Sequence, residues 1–395
     1  MCGAMDLDLL EFNSDLLSQA GQHYPHPPPV RIQSFADYCT VTDQIAAAWR
    51  KHASERQASG ASIPAERYVG EILPWFRGQK NVNHSLTPSL QRFYSKYSSL
   101  YDDILTVEEY FQERFIRFAR PYLSGISPGD VVEWNYIMRH HEVPSRLLDW
   151  TKGSLIGLTY AVHDPAESKE HLKPGASDAA SSERDCAVWM LEPRRLMEMA
   201  TANLLITTNP AGQKGTRNIT SQDKKVMALR RLYFGGRFCF TRKPHVRGRC
   251  SSGEAFIISI DGQEIVIRER EVSGLPIPLI PSHLSRRLES HLSRFTLHPL
   301  GSFQKGRYSK LSTPDDDSII NFSTKAFDAD KYWYLVKLVI PASLRNEIAR
   351  SLRMTGISDM NFTQDLDGLA VELKQRFYLG AGDDGFPGLP NRDHC

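Results

Sequence analysis

Between Met138 and Thr151 the chain reads Met-Arg-His-His-Glu-Val-Pro-Ser-Arg-Leu-Leu-Asp-Trp-Thr, and an apolar helical run from Leu155 to Val162 follows. Two arginines, two histidines, two acids and a tryptophan this close together are costly to bury without partners. The segment is therefore a self-satisfied polar network or a site. On the first reading Arg146 pairs with Asp149 and His140 and His141 donate to backbone. On the second, Thr151 and Ser154 sit just ahead of the helix from Leu155, where hydroxyls cap N–H groups and anions bind. Adjacent histidines point in different directions on helix or strand, and no H-E-x-x-H spacing accompanies them, so no metal is assigned.

A second segment, Leu73-Pro74-Trp75-Phe76-Arg77-Gly78-Gln79, is a bulky apolar run that suddenly exposes an arginine followed by glycine. Glycine admits close approach of backbone or ligand, and the guanidinium offers a planar fork for phosphate or carboxylate. The bland alternative is an arginine at a strand end paired with a structural carboxylate.

The rest of the chain bounds these readings. At 395 residues, 41% apolar and 24% charged, it is long enough for a sizeable core and has the composition of a globular protein. A net charge of +2 leaves polyanion binding to a local patch. The six cysteines are too dispersed for a C-x-x-C pair and read as reduced thiols, and no apolar run approaches a membrane span. The expected location is the cytoplasm, without membrane association.

Amphipathic stretches over 6–20 and 37–54 predict a helical N-terminal region, 1–69, interrupted by Pro27-Pro28-Pro29. Thr106-Val107-Glu108-Glu109 reads as a capping box opening a helix that ends at Pro121, with Phe111, Phe115 and Phe118 as its core stripe. Polar surface loops are expected at 165–185 and 207–223. Strands are predicted at 186–191, 256–260, 264–267 and 333–340, the middle two joined as a hairpin through Asp261-Gly262-Gln263. Helices and strands without regular βαβ alternation give an α+β fold, with a mixed or antiparallel sheet core, over 70–378, and a Gly/Pro/Asp-rich tail over 379–395. Within that tail Gly380-Ala381-Gly382-Asp383-Asp384-Gly385 fits G-x-G-x-x-G by letter only, because no βαβ unit surrounds it.

From Lys224 to Arg249 the sequence carries Lys224, Lys225, Arg230, Arg231, Arg237, Arg242, Lys243, Arg247 and Arg249 and no acid, interleaved with Tyr233, Phe234, Phe238 and Phe240. Cations for phosphates beside ring faces for bases are the parts of a single-stranded nucleic-acid groove; a basic hairpin with its aromatics in the core is the alternative. RNA, DNA or an acidic protein surface would fit such a patch.

Phe76-Arg77-Gly78-Gln79 and the string from His140-His141 to Pro144-Ser145-Arg146-Leu147-Leu148-Asp149-Trp150-Thr151 resemble the FRG domain, a family named for the Phe-Arg-Gly tripeptide. Arg287-Leu288-Glu289-Ser290-His291-Leu292-Ser293-Arg294-Phe295-Thr296-Leu297-His298 is similar to the family's Arg-Ile-x-x-Gln-x-Gly-x-Phe-Thr-x-His run. Gly356-Ile357 and Asp365 to Ala370 are similar to its closing motifs, so the resemblance spans about residues 70 to 378. The order of an arginine, a polar Asp149-Trp150-Thr151-x-x-Ser154 segment and a late strand motif also resembles ADP-ribosyltransferases. That second resemblance implies a split sheet and an NAD-using enzyme with a nucleic-acid or protein acceptor. It allows a toxin or defence effector with an inhibitor partner.

In its terms Arg77, with Gly78 and Gln79, holds phosphate, while Thr151 and Ser154 shape the NAD pocket. His140 or Trp150 contacts ribose or nicotinamide, and His141, Arg146 and Asp149 complete the surround. The catalytic carboxylate falls in the run holding Glu289 and His291, with Glu142 as another candidate. The chain departs from the FRG pattern at Arg139, where the family has Gln, at Glu142 and Ser293, where it has Gly, and at His291, where it has Gln. The competing expectation is a noncatalytic module that binds a phosphorylated ligand or nucleic acid.

Overall fold

Short apolar runs set between breakers assemble here into a main sheet with helices packed on it. The computed structural model describes residues 29–58, 73–97, 104–123, 131–162, 184–197, 200, 255–260, 263–268, 276–281, 292–298, 301–304, 307–310 and 334–357. The sheet is seven-stranded, in the order β1 (Val30–Arg31), β11 (Leu335–Ile340), β4 (Cys186–Leu191), β2 (Trp75–Gln79), β3 (Leu147–Thr151), β8 (Ser293–Leu297) and β7 (Ile277–Leu279). β1 runs parallel to β11 and every other pairing is antiparallel, so the sheet is mixed and the fold is α+β. Two further hairpins pair β5 (Ala255–Ile260) with β6 (Gln263–Arg268) and β9 (Gly301–Gln304) with β10 (Arg307–Lys310). The first has Ile260 opposite Gln263, leaving a two-residue connection at the expected turn.

Strand β4 explains the centre of the sheet. All six residues of Cys-Ala-Val-Trp-Met-Leu are buried, as a strand covered on both faces requires, and it pairs along its length with β11 and along five positions with β2. Strands β2 and β3, in contrast, share one paired position, Phe76 with Thr151.

Helix α1 (Phe35–Ala58) begins where Ser34 Oγ accepts the Asp37 N–H at 3.0 Å and the Asp37 carboxylate accepts the Gln33 N–H at 2.8 Å. Its residues Tyr38, Val41, Ile45 and Trp49 recur at three- and four-residue spacing and are buried in the same core as Trp75, Leu148 and Val188. Residues 29–58 thus share the sheet's core.

Helix α2 (Ser89–Tyr97) packs on α3 (Ile104–Ala119), and α4 (Val131–His140) packs on both α3 and β3. Helix α5 (Ser154–Val162) lies on β2, and α6 (Arg345–Met354) places Ile348 and Leu352 in the main core. Among the described residues no helix is long and apolar enough to cross a membrane.

Two local expectations change. Helix α3 starts at Ile104, so Thr106 lies within its first turn rather than at a cap, and Glu108 turns inward to a buried arginine. The stripe Phe111, Phe115, Phe118 is core only at its start. Phe111 meets Phe93 edge-on at 5.1 Å and Phe115 meets Trp134 at 6.3 Å, whereas Phe118 is 60% exposed because packing partners line only one side of the helix there. The 6–20 segment and most of both expected loops lie outside the described residues, as does the 379–395 tail.

Candidate functional site

The Phe-Arg-Gly tripeptide divides its work between the two faces of β2. Phe76 and Gly78 face α5, where a Cβ on Gly78 would lie 2.2 Å from the Gly157 carbonyl oxygen and 2.5 Å from Ala161 N, both backbone atoms. A Cβ on Gly157 would in turn lie 2.7 Å from Phe76 Cβ. The glycine is there for a backbone approach, that of helix to strand. With α5 seated in this way, Arg77 projects from the opposite side of β2.

There Arg77 Nη1 donates to the Asp149 backbone carbonyl at 2.7 Å and lies 2.9 Å from Asp149 Oδ2. The other carboxylate oxygen, Oδ1, accepts from Arg139 Nε at 2.9 Å and Nη2 at 2.6 Å. Burial raises the Asp149 pKa, but the charges of Arg77 and Arg139 overcome it and hold the carboxyl well below the usual range. Asp149 remains an anion, 45% exposed, clamped between two guanidiniums. Arg77 is 14% exposed, and its Nε is buried without a hydrogen-bond partner.

Arg77 and Asp149 line a cleft of about 590 Å³, with Arg139 behind Asp149. The β2–α2 loop supplies Lys80, Asn83, His84 and Ser85, and α2 supplies Arg92. Trp150, Thr151, Tyr160 and Ser293 complete the wall with Phe76, Gly78 and Gln79. Arg92 also donates to the Thr87 carbonyl. Its pKa is lowered by burial and then by the charges of Arg77 and Arg139. Burial, Arg92 and Arg184 likewise lower His84. Among the described residues the lining thus carries Arg77, Lys80 and Arg92 against one acid, Asp149, which Arg77 and Arg139 already neutralise. An anion of nucleotide size fits both the volume and the charge.

Other side chains of the lining are committed to the fold. Gln79 Oε1 accepts from Trp189 Nε1 at 2.7 Å while its Nε2 donates to the Ser85 carbonyl at 3.0 Å, which fixes the loop over β4. Thr151 Oγ1 accepts the Gly153 N–H at 3.0 Å. Trp150 Nε1 donates to Thr296 Oγ1 at 2.9 Å, and Thr296 Oγ1 is 3.0 Å from His298 Nε2. Burial and the charge of Arg77 lower His298 to about 3, so its imidazole is neutral.

Of the residues singled out in the sequence, Arg77, Gly78, Gln79, Asp149, Trp150 and Thr151 come together in the cleft. Arg146 does not pair with Asp149. Its guanidinium makes a two-pronged, buried ion pair with Glu108, Nε to Oε1 at 2.7 Å and Nη2 to Oε2, because α3 packs against the entry to β3 while Arg139 reaches Asp149 from α4. His140 and His141 meet edge to face at 5.0 Å at the end of α4, away from the cleft lining. Ser154 lies outside the lining too, its carbonyl accepting from Tyr38 Oη at 2.8 Å.

Glu142, exposed with φ of 60°, is the left-handed residue that closes α4, where Val143 N–H donates to the Met138 carbonyl at 2.9 Å. Glu289, His291 and the Lys224 to Arg249 stretch lie outside the described residues. Sequence reasoning missed Lys80 and Arg92 as cleft cations and Arg139 as the second partner of Asp149. The polar Lys80 to Thr87 stretch, which follows Gln79, is the signal that could have found Lys80.

A scan against protein families matches residues 74–170 to the FRG domain. No curated protein and no solved structure matches the chain. The matched span runs from the start of β2 through α5. All of the cleft lining but Ser293 thus falls in the matched span, and the chain carries an FRG domain over residues 74–170.

Proposed function

We propose that the cleft binds a phosphate-bearing nucleotide, that this ligand is NAD, and that the protein acts as an ADP-ribosyltransferase-like enzyme. The observation that carries the reading is the surplus of cations. Arg77, Lys80 and Arg92 line one cleft in which the one acid among the described residues, Asp149, is already neutralised by Arg77 and Arg139. A pyrophosphate carries the charge opposite to these groups, and about 590 Å³ accommodates most of a dinucleotide. The single paired position between β2 and β3 supports a sheet that opens beside Arg77.

In such a reaction the nicotinamide–ribose C–N bond breaks and nicotinamide leaves with the electron pair. An acceptor nucleophile then bonds to the ribose carbon and loses its proton. Asp149 serves by fixing Arg77 for the pyrophosphate, Thr151 and Trp150 shape the wall, and Glu289 is the carboxylate assigned to stabilise the cationic ribose. One observation favours a second reading, a noncatalytic phosphate-binding module: Asp149, the carboxylate that lines the cleft, is held at both oxygens by arginines.

Calorimetry with NAD, ADP-ribose and pyrophosphate, run beside an NAD-consumption assay with RNA, DNA or protein acceptors, separates the two. The transferase reading expects binding that is lost in Arg92→Ala and turnover that is lost in Arg77→Ala and Glu289→Gln. Binding without turnover under any condition would leave the module, and no binding of any phosphate compound would remove both.

A further inference from the structure

Beyond Arg92, helices α2 and α3 carry side chains that the packing of the described residues leaves exposed. Among the described residues seven large hydrophobic side chains are exposed, and Tyr110 (55%), Phe118 (60%) and Tyr122 (85%) are three of them. Phe118 lies eight positions after Tyr110 and Tyr122 four after Phe118, so the three follow one another along the exposed part of α3 and the short 3₁₀ turn Arg120–Tyr122 that continues it. Each of the first two has a guanidinium over its ring, Arg114 at 5.6 Å from the Tyr110 centroid and Arg117 at 5.8 Å from that of Phe118. On α2 the same unit recurs, with Lys96 Nζ 5.4 Å from the Tyr97 centroid. A chain of ring contacts, Tyr97–Phe93–Phe111–Tyr110, links the two helices.

Charge decides what can lie on this surface. The exposed side of α3 and its turn carries Arg114, Arg117 and Arg120 against Glu113, so the stripe is positive. A second copy would bring the same cations to the same place and repel. The chain's own Lys224 to Arg249 segment, which has no acid, would repel as well. The partner must be anionic. It must also offer flat faces, because the apolar part of the stripe is rings rather than aliphatic side chains. A ring beside a cation is matched by a base beside a phosphate.

We infer that this α2–α3 surface binds single-stranded nucleic acid, with bases stacking on Tyr110, Phe118 and Tyr122 and phosphates pairing with Arg114, Arg117 and Lys96. The inference is independent of what occupies the cleft.

Fluorescence anisotropy of the full-length protein with a labelled oligothymidylate of about 12 nucleotides tests it. Each of Tyr110→Ser, Phe118→Ser and Tyr122→Ser weakens binding by about 5-fold or more, the stacking expected for one ring. Arg114→Gln with Arg117→Gln flattens the slope of log K against log salt by about 0.7 per arginine. These positions are exposed, and circular dichroism confirms that the variants stay folded. The inference is overturned if the oligonucleotide does not bind. It is equally overturned if the three ring variants bind as tightly as wild type, which would move the site to another basic segment. Displacement by polyglutamate, with no effect of the ring variants, would instead assign the surface to an acidic protein.

Discussion

Arg77 Nη1 makes two contacts with one residue, 2.7 Å to the backbone carbonyl of Asp149 and 2.9 Å to its carboxylate. The guanidinium therefore ties β2 to β3 where the strands have almost ceased to pair, and it is also the cation of the cleft. Because the folded state holds Asp149 below its ordinary pKa, the group adds stability above about pH 4, and this is lost as the pH falls through the lowered folded value. The melting temperature of wild type exceeds that of Asp149→Asn near neutrality, and the gap narrows below about pH 4. Thermal melts across that range check it.

His298 has the opposite chemistry and the same direction of pH dependence. Its folded pKa, about 3, lies under the unfolded value of about 6.5, so the unfolded chain binds more protons between the two. Stability from this group is complete above about pH 6.5 and falls towards pH 3, by up to about 1.4 kcal/mol per pH unit. Denaturant titrations at stepped pH show a shallower slope for His298→Gln.

Gly78→Ala forces a Cβ against the backbone of α5, where no side chain can swing away. The cost is about 1–3 kcal/mol or more, in the range of overpacked cores. Urea unfolding measures it, and Gly157→Ala, which presses on Phe76 from the other side, loses stability too.

The Arg146–Glu108 pair is buried at both ends, so removing one partner strands the other charge. Arg146→Met or Glu108→Leu alone costs about 3–5 kcal/mol, while the double variant that combines them recovers most of the loss. A double-mutant cycle by chemical denaturation reads the difference.

Glu142 occupies a left-handed conformation, φ 60°, that suits glycine. Glu142→Gly stabilises by about 1 kcal/mol through relief of that backbone strain, visible as a higher urea midpoint with an unchanged m-value.

By itself the sequence determined those parts of the protein in which neighbours along the chain are the environment. Cys186 to Leu191 reads as a buried strand because six apolar residues leave no polar face, and α5 reads as a helix from its apolar run. The Phe-Arg-Gly and Arg-Leu-Leu-Asp-Trp-Thr strings marked the family and six of the cleft residues. Tertiary structure decided which charges meet. Arg77 and Asp149 are 72 positions apart, and Arg146 and Glu108 are 38 apart. Arg146 is three residues from Asp149, yet the carboxylate goes to Arg139 from α4 and Arg77 from β2. A strand points residues three apart to opposite faces, so closeness in sequence does not bring them together. The same cause placed Arg92 in the cleft and left Phe118 outside the core, since both depend on which helix packs where.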